Sequence, residues 1–485
     1  MTVAPDRGRR RPTHSASSTW PSDDDRASDD RADVAIVGLG PAGAVLANLC
    51  GLAGLRTIVY ERSLEAHPDP RAVHLDAEIA RILQQCGFEA HLEQLLTVSA
   101  GMEYVDTAGD HLFTFEGFER APLLGWHEDY VFHQPDLDRM LRSGLDRFDH
   151  VDVRLGDPAP PVDQLTGSAR YVVGCDGASS GIREQLGIGL VDRGYDEEWL
   201  VVDLVLRDDA TIDLPPIIQQ VCDPARLATY VPGHSPHHRF EFRIDHADDP
   251  LPPTWDLVAP WGFTEDNANL VRAASYRFHA LMADSWRDGS VFLAGDAAHQ
   301  MPPFMGQGLC SGVRDVANLA WKLVAACAGD QGSFDDIEAL LDSYEAERRP
   351  HVDAVIELSI QAGRLLTRFA DDLAAGRRPG APAADTADTR RWSRLPGLEL
   401  GLPFPVGHLV PQPVIDGRRA DWTLPAGWAV ISRAFDADMT YDHDAVLVRP
   451  DRYIAAAGTV EHVSAAGRPW GATTVEREAP TAASR

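Results

Sequence analysis

The chain has 485 residues, 44% of them apolar, and a formal net charge of −30 from 44 basic and 74 acidic side chains. That length exceeds one ordinary core and predicts two or three domains. So acidic a surface repels phosphate backbones and anionic lipid, so neither nucleic acid nor a membrane surface is an expected partner.

Residues 1–30 are polar and rich in Ser, Asp, Arg and Pro, and read as a disordered tail. Arg7–Arg11 is followed by no apolar run, so it is not a secretory signal. From Asp33 the pattern becomes regular. Val34–Val37 reads as a buried strand, Ala42–Ala53 as a helix and Arg56–Tyr60 as the next strand, a β-turn-α-β unit that opens a parallel sheet. The turn is Gly38-Leu39-Gly40-Pro41-Ala42-Gly43, a dinucleotide fingerprint in its required setting. Gly38 permits the tight turn, Gly40 lets a pyrophosphate approach the backbone, and Gly43 allows close helix–strand packing. The free N–H groups at the helix start then bind phosphate. Glu61 ends the second strand, where an acid can bond a ribose hydroxyl.

Further along, residues 200–206 and 239–244 read as strands. In the second, Phe240, Phe242 and Ile244 share one face, and Arg239, Glu241 and Arg243 the other. This half-buried sheet with a polar face predicts a separate α+β domain. Helical periodicity returns over Gly308–Leu323 and Ile337–Ala362. A linker is expected over 371–394 and a disordered tail after about Arg468. The longest apolar candidate, Leu309–Ala328, is broken by Arg314, Asp315 and Lys322, so no membrane span is expected. None of the six cysteines has metal-clip or C-x-x-C spacing; no metal site is predicted, and free thiols fit a cytoplasmic location.

Two more motifs carry a resemblance. Cys175-Asp176-Gly177-Ala178-Ser179-Ser180, with Arg183, follows a strand at Tyr171–Val173, and Ala294-Gly295-Asp296-Ala297-Ala298-His299 follows one at Val291–Leu293. With the fingerprint, these resemble the three signatures of the group A FAD-dependent aromatic hydroxylases, which have the para-hydroxybenzoate hydroxylase fold. Pro302–Leu309 and Arg314–Leu323 look like the same family. Arg71–Asp76, Phe132–Leu137, Cys222–Arg226 and Tyr230–Gly233 resemble its 3-(3-hydroxyphenyl)propionate hydroxylase branch. The likeness covers roughly residues 32–365, with gaps.

The resemblance implies an α/β fold: a Rossmann-like FAD-binding domain (31–187 and 286–370), an inserted α+β substrate domain (188–285), and a shortened thioredoxin-like region (395–468). It implies FAD and NAD(P)H as cofactors. NAD(P)H would reduce FAD and O2 would form a C4a-hydroperoxide that hydroxylates a phenolic substrate, such as a 3-(3-hydroxyphenyl)propionate-like acid. The expected cofactor-binding residues are Gly38, Gly40, Pro41, Ala42, Gly43, Glu61, Arg62, Arg71, Gln134, Asp176, Gly295, Asp296, Pro303, Gly306, Gly308 and Leu309. Arg71 and Gln134 match positions that hold the FAD diphosphate and ribose, and Asp296 one that bonds the ribityl chain. The helix start at Gly306–Leu309 would face the reduced flavin with its positive end. His299 is read as packed or capping. No catalytic residue is singled out; His74, His133, Tyr230, His234, His237, His238, Tyr276 and His279 are candidates by type. The expected partners are a small aromatic substrate and O2, with a homodimer as an assembly the family allows. Two alternatives stand beside this reading: a tailoring flavin oxygenase of polyketide or other secondary metabolism, and a degenerate, non-catalytic flavoprotein.

The chain departs from the family in three places. Gly156–Arg170 is a Pro-rich stretch where a β-meander is usual, which predicts a looser FAD domain. The segment between Asp249 and Trp255 is short, and much is missing between Leu395–Gly401 and Asp444–Asp451.

Overall fold

In the computed structural model, Ala32–Val37 is buried along its whole length, as expected of an apolar, β-branched run inside a parallel sheet. The structure describes residues 31–475 except 116–123, 209, 245–251, 329–333, 381–397, 399, 401–405, 413, 416–417, 420, 422–423, 433–442 and 468–471. The expected tail at 1–30 and the centre of the expected linker lie outside the described residues.

The first sheet runs in the order Arg287–Asp288, Val291–Leu293, Ala169–Gly174, Ala32–Val37, Thr57–Glu61, Val151–Leu155. All its pairings are parallel except that of the edge strand Arg287–Asp288. This order has a direct consequence for function. The turn at Gly38, the acid Glu61, the Cys175 turn and the Gly295-Asp296 loop all leave adjacent parallel strands at the same carboxyl edge, where open α/β sheets bind ligands. The helices Pro41–Leu52 and Gln307–Ala328 pack together beside the sheet.

The second sheet has eight strands, ordered His299–Gln300, Ala268–Ala283, Leu190–Leu206, His237–Ile244, Ala228–Pro232, Ile218–Val221, Met102–Val105, His111–Phe115. Phe240, Phe242 and Tyr230 pack on one face with Trp261 and Phe263. The alternation seen in the sequence is therefore real, but the polar face looks into a cavity instead of bulk water. Met102–Val105, His111–Phe115 and His299–Gln300 lie outside 188–285, yet complete this sheet. The insertion is thus not self-contained.

Three further expectations are corrected. Gly156–Arg170 is not merely a Pro-rich stretch: Val162–Ser168 is a helix whose Leu165 is fully buried, and the sheet continues on both sides of it. Asp371 and the three residues after it are not linker but the last turn of the helix Phe334–Ala374. The chain beyond Arg468 is not wholly a tail, because Thr473–Val475 pairs in parallel with Ala429–Ser432. That C-terminal sheet also holds Ala445–Val448 and Ile454–Gly458, with the helix Val460–Gly467 against it. It docks through buried polar contacts. Arg81 grips Asp421 with two nitrogens (2.7 and 2.8 Å), and Tyr453 Oη donates to Glu78 Oε1 (2.7 Å). Arg81 holds the Asp421 carboxyl down at about 2, against the desolvation that burial imposes.

Candidate active site

A cavity of about 1240 Å³ lies between the carboxyl edge of the first sheet and the polar face of the second. It exceeds the roughly 300–1,000 Å³ of a drug-sized ligand site, so it has room for a dinucleotide and a second, smaller molecule.

The glycine turn forms one wall, and its three glycines do three different things. Gly38 has φ +96°, and an added Cβ would collide with the Cys175 carbonyl. A Cβ on Gly43 would collide with the Gly38 carbonyl. At Gly40, by contrast, a Cβ would meet no protein atom within 4 Å, because this position faces the cavity. The first two are needed by the protein itself; the third leaves room for something else. Glu61 stands beside the turn. Its Oε2 accepts the Leu39 N–H and its Oε1 the Ser63 N–H, both at 2.8 Å.

The Gly295-Asp296 loop forms the floor. Asp315, fully buried on the Gln307–Ala328 helix, accepts hydrogen bonds from the Gly295 N–H (3.1 Å) and Arg348 Nε (2.9 Å), and contacts His299 Nε2 (2.6 Å). His299 is therefore a packed residue and not a wall of the cavity. Asp296 differs. It opens into the cavity, caps no helix and makes no hydrogen bond to any described residue. Desolvation by the surrounding protein raises its pKa above the usual carboxylate value, against the pull of His299 and Arg71.

Beside the floor, Gly306 (φ +63°) turns the chain into the helix Gln307–Ala328, and Pro303, Gly306, Gly308 and Leu309 all border the cavity. The first N–H groups of that helix have no intrahelical acceptor and lie at this wall. His74 packs against Gly306 and pairs through Nε2 with Asp129. Burial opposes the charge on His74, but Asp129 outweighs it and lifts the pKa well above the usual imidazole value.

Every residue expected to bind the cofactor borders this cavity except Gly43, which lies just behind the turn. Two do other work there. Gln134 turns its Oε1 onto the N–H groups of Arg71 (2.9 Å) and Ala72 (2.7 Å), so it shapes the loop that carries Arg71. The Asp176 carboxylate is engaged by Ser180 Oγ (2.5 Å) and the Ile182 N–H (3.1 Å), at the start of Gly181–Gln185. Arg183 joins the two later motifs, donating to the Ala297 and Ala178 carbonyls at 3.1 Å. Of the residues named as candidate bases, His74, Tyr276 and His279 border the cavity. Tyr230 is in the aromatic core, and His133, His237 and His238 line a separate small cleft. No sequence pattern marks Asp129, which lies 55 positions from the histidine it holds.

The geometry fits FAD. Gly40 leaves open space at a helix start, Asp296 offers a carboxylate with no protein partner, and a second helix begins beside it at Gly306. Among the described residues no group of side chains could hold a metal ion, and no helix is long and apolar enough to cross a membrane.

Comparison with known proteins points the same way. A family model described as an FAD binding domain matches residues 31–164 and 146–359. A probable NADH-specific resorcinol 4-hydroxylase of Rhodococcus jostii is 37% identical over 427 residues, covering 82% of this chain and 79% of that protein. A 3-(3-hydroxy-phenyl)propionate/3-hydroxycinnamic acid hydroxylase of a Mycobacterium species is 34% identical over 441 residues, covering 82% and 75%. Among solved structures, aklavinone-11 hydroxylase with FAD and aklavinone superposes with a TM-score of 0.71 at 21% identity, over 91% of this chain and 99% of that one. The flavin-dependent monooxygenase PieE, with FAD and substrate, gives 0.73 at 19% identity over the same shares.

Proposed function

The chain belongs to the family of FAD-dependent aromatic hydroxylases, and from that premise we propose that it hydroxylates a phenolic ring with NADH as reductant. The ring loses a hydrogen and gains a hydroxyl, NADH and a proton are consumed with O2, and NAD+ and water are released. Bound FAD supplies the exchange of electrons between NADH and O2. Resorcinol and 3-(3-hydroxyphenyl)propionate are the candidate substrates that the relatives bring. The observation that carries this reading is the two-sided cavity, with a dinucleotide cradle on one wall and a polar sheet face on the other.

The residues divide the work. The turn at Gly40 and the start of the Pro41–Leu52 helix receive the pyrophosphate. Glu61 would orient a ribose, and Asp296 would accept a hydrogen bond from a ribityl hydroxyl. The start of Gln307–Ala328 would offer its positive helix end to bound FAD, and His74, held by Asp129 as a pair of no net charge, stands beside that start at Gly306. The sheet made chiefly by 188–285 turns its polar face to the same cavity and would receive the substrate there. The intact cradle argues against a non-catalytic remnant, and the absence of any disulfide among the six cysteines suits the cytoplasm. Phenols added to the purified protein should accelerate NADH consumption and yield a product with one more hydroxyl; NADH consumption unaltered by every phenol tested, with no hydroxylated product, would refute the proposal.

Asp296 allows a sharper test. Asp296→Ala should weaken FAD binding about tenfold or more, since a hydrogen bond to a charged group contributes about 1.5–3 kcal/mol. Asp296→Asn should lie between that and the native protein. The apo-proteins should melt together, because the carboxyl has no protein partner to lose. Equal FAD affinity in all three would remove Asp296 from the cofactor site.

A further inference from the structure

The roof of the cavity carries a carboxyl that the cofactor cradle does not use. Glu241 stands opposite Val201 on one neighbouring strand and Thr229 on the other, and Thr229 in turn stands opposite Gln220. Gln220, Thr229 and Glu241 thus form one polar row across three strands, facing the cavity. Thr229 Oγ1 donates to Gln220 Oε1 at 2.8 Å. Glu241 makes no hydrogen bond or salt bridge to any described residue. Burial raises its pKa, against the pull of Arg239 and Arg272.

Those two arginines are already engaged. In the adjacent row Asp203 lies between them, opposite Arg239 on one strand and Arg272 on the other. Arg239 donates to Asp203 Oδ1 (2.8 Å), the Arg71 carbonyl (2.9 Å) and the Pro70 carbonyl. Arg272 is turned onto Asp203, Pro70 and Tyr276 Oη. Farther along the roof, Arg277 is exposed and paired with Asp196 at 2.6 Å. On this roof, a ring that brings its own carboxylate would therefore meet an unpaired carboxyl beside two arginines, Arg239 and Arg272, that Asp203 already holds. A ring that brings only hydroxyls can donate one of them to Glu241.

Resting on the hydroxylase reading above, we propose that Glu241 recognises a hydroxyl of an uncharged, polyhydric phenol, and that this roof disfavours carboxylate-bearing rings. Discrimination of this kind works through a group that suits one ligand and repels its competitor. The test uses the FAD-loaded protein and calorimetric titration with two probes, resorcinol and 3-(3-hydroxyphenyl)propionate. The native protein should bind resorcinol more tightly. Glu241→Gln keeps the shape but loses the charge, so it should weaken resorcinol about tenfold and narrow or reverse its advantage over the acid. Glu241→Ala should show the same direction, and thermal melts of both variants report any loss of fold. Tighter binding of the acid by the native protein, an unchanged ratio in both variants, or no binding of either probe by flavin-loaded protein would each overturn the inference and leave FAD binding intact. A native protein that cannot retain FAD would instead overturn the reading on which the inference rests.

Discussion

A Gly40→Val variant is expected to fold normally and to purify without flavin. Gly40 has φ −73° and ψ −176°, an extended conformation open to any residue. A Cβ added there meets no protein atom within 4 Å and faces the cavity. The cost falls on the ligand alone: the new side chain occupies the approach to the helix N-terminus, where a pyrophosphate must come against the backbone. FAD affinity should fall roughly a hundredfold or more, equivalent to about 2.7 kcal/mol, with little change in the melting of the apo-protein. Gly43→Val should behave in the opposite way. Its side chain would collide with the Gly38 carbonyl, so the fold itself is damaged and flavin is lost with it. Finding the two variants alike in stability would contradict this division of labour.

Asp315→Ala should be among the most destabilising single changes in the protein. The carboxylate has no solvent exposure and serves His299, Arg348 and the Gly295 N–H at once. Removing it leaves the Arg348 guanidinium, itself 1% exposed, without its carboxylate. Breaking a buried pair from one side costs about 3–5 kcal/mol, to be read as a lower urea midpoint and melting temperature. Asp315→Asn keeps an acceptor and should lose less. The pH dependence has a defined sign. Burial opposes ionisation, but His299 and Arg348 prevail and hold the carboxyl below its usual range. Its contribution is therefore complete above the unfolded value of about 3.9 and is lost as the pH falls through the lower folded value. Since Asp315 also anchors the loop carrying Asp296, the variant should bind FAD more weakly even under conditions where it remains folded.

What could be read in advance is what the chain encodes locally. The glycine turn, the Gly295-Asp296 loop and the helix beginning near Gly306 each rely on residues a few positions apart, and the structure brings all three to one cavity. The alternation at His237–Ile244 also separated an apolar from a polar face, although it could not reveal that the polar face looks inward. The remainder depends on strand register and long-range contact. Asp203 meets Arg239 and Arg272 only because three strands align them. Gln134 serves the backbone of Arg71 and Ala72 across more than sixty positions, a contact that motif likeness does not reveal. The buried Arg81–Asp421 tie, spanning 340 positions, could not be seen in the sequence at all.

On this reading the cavity holds FAD and delivers one oxygen atom of O2 to a phenolic ring. The most direct measurement is the mass of the product formed from resorcinol, NADH and isotopically labelled O2 by the flavin-loaded protein. One labelled oxygen in a newly hydroxylated ring is the predicted result. NADH consumption that yields only hydrogen peroxide, or a hydroxylated product whose new oxygen comes from unlabelled water, would contradict it.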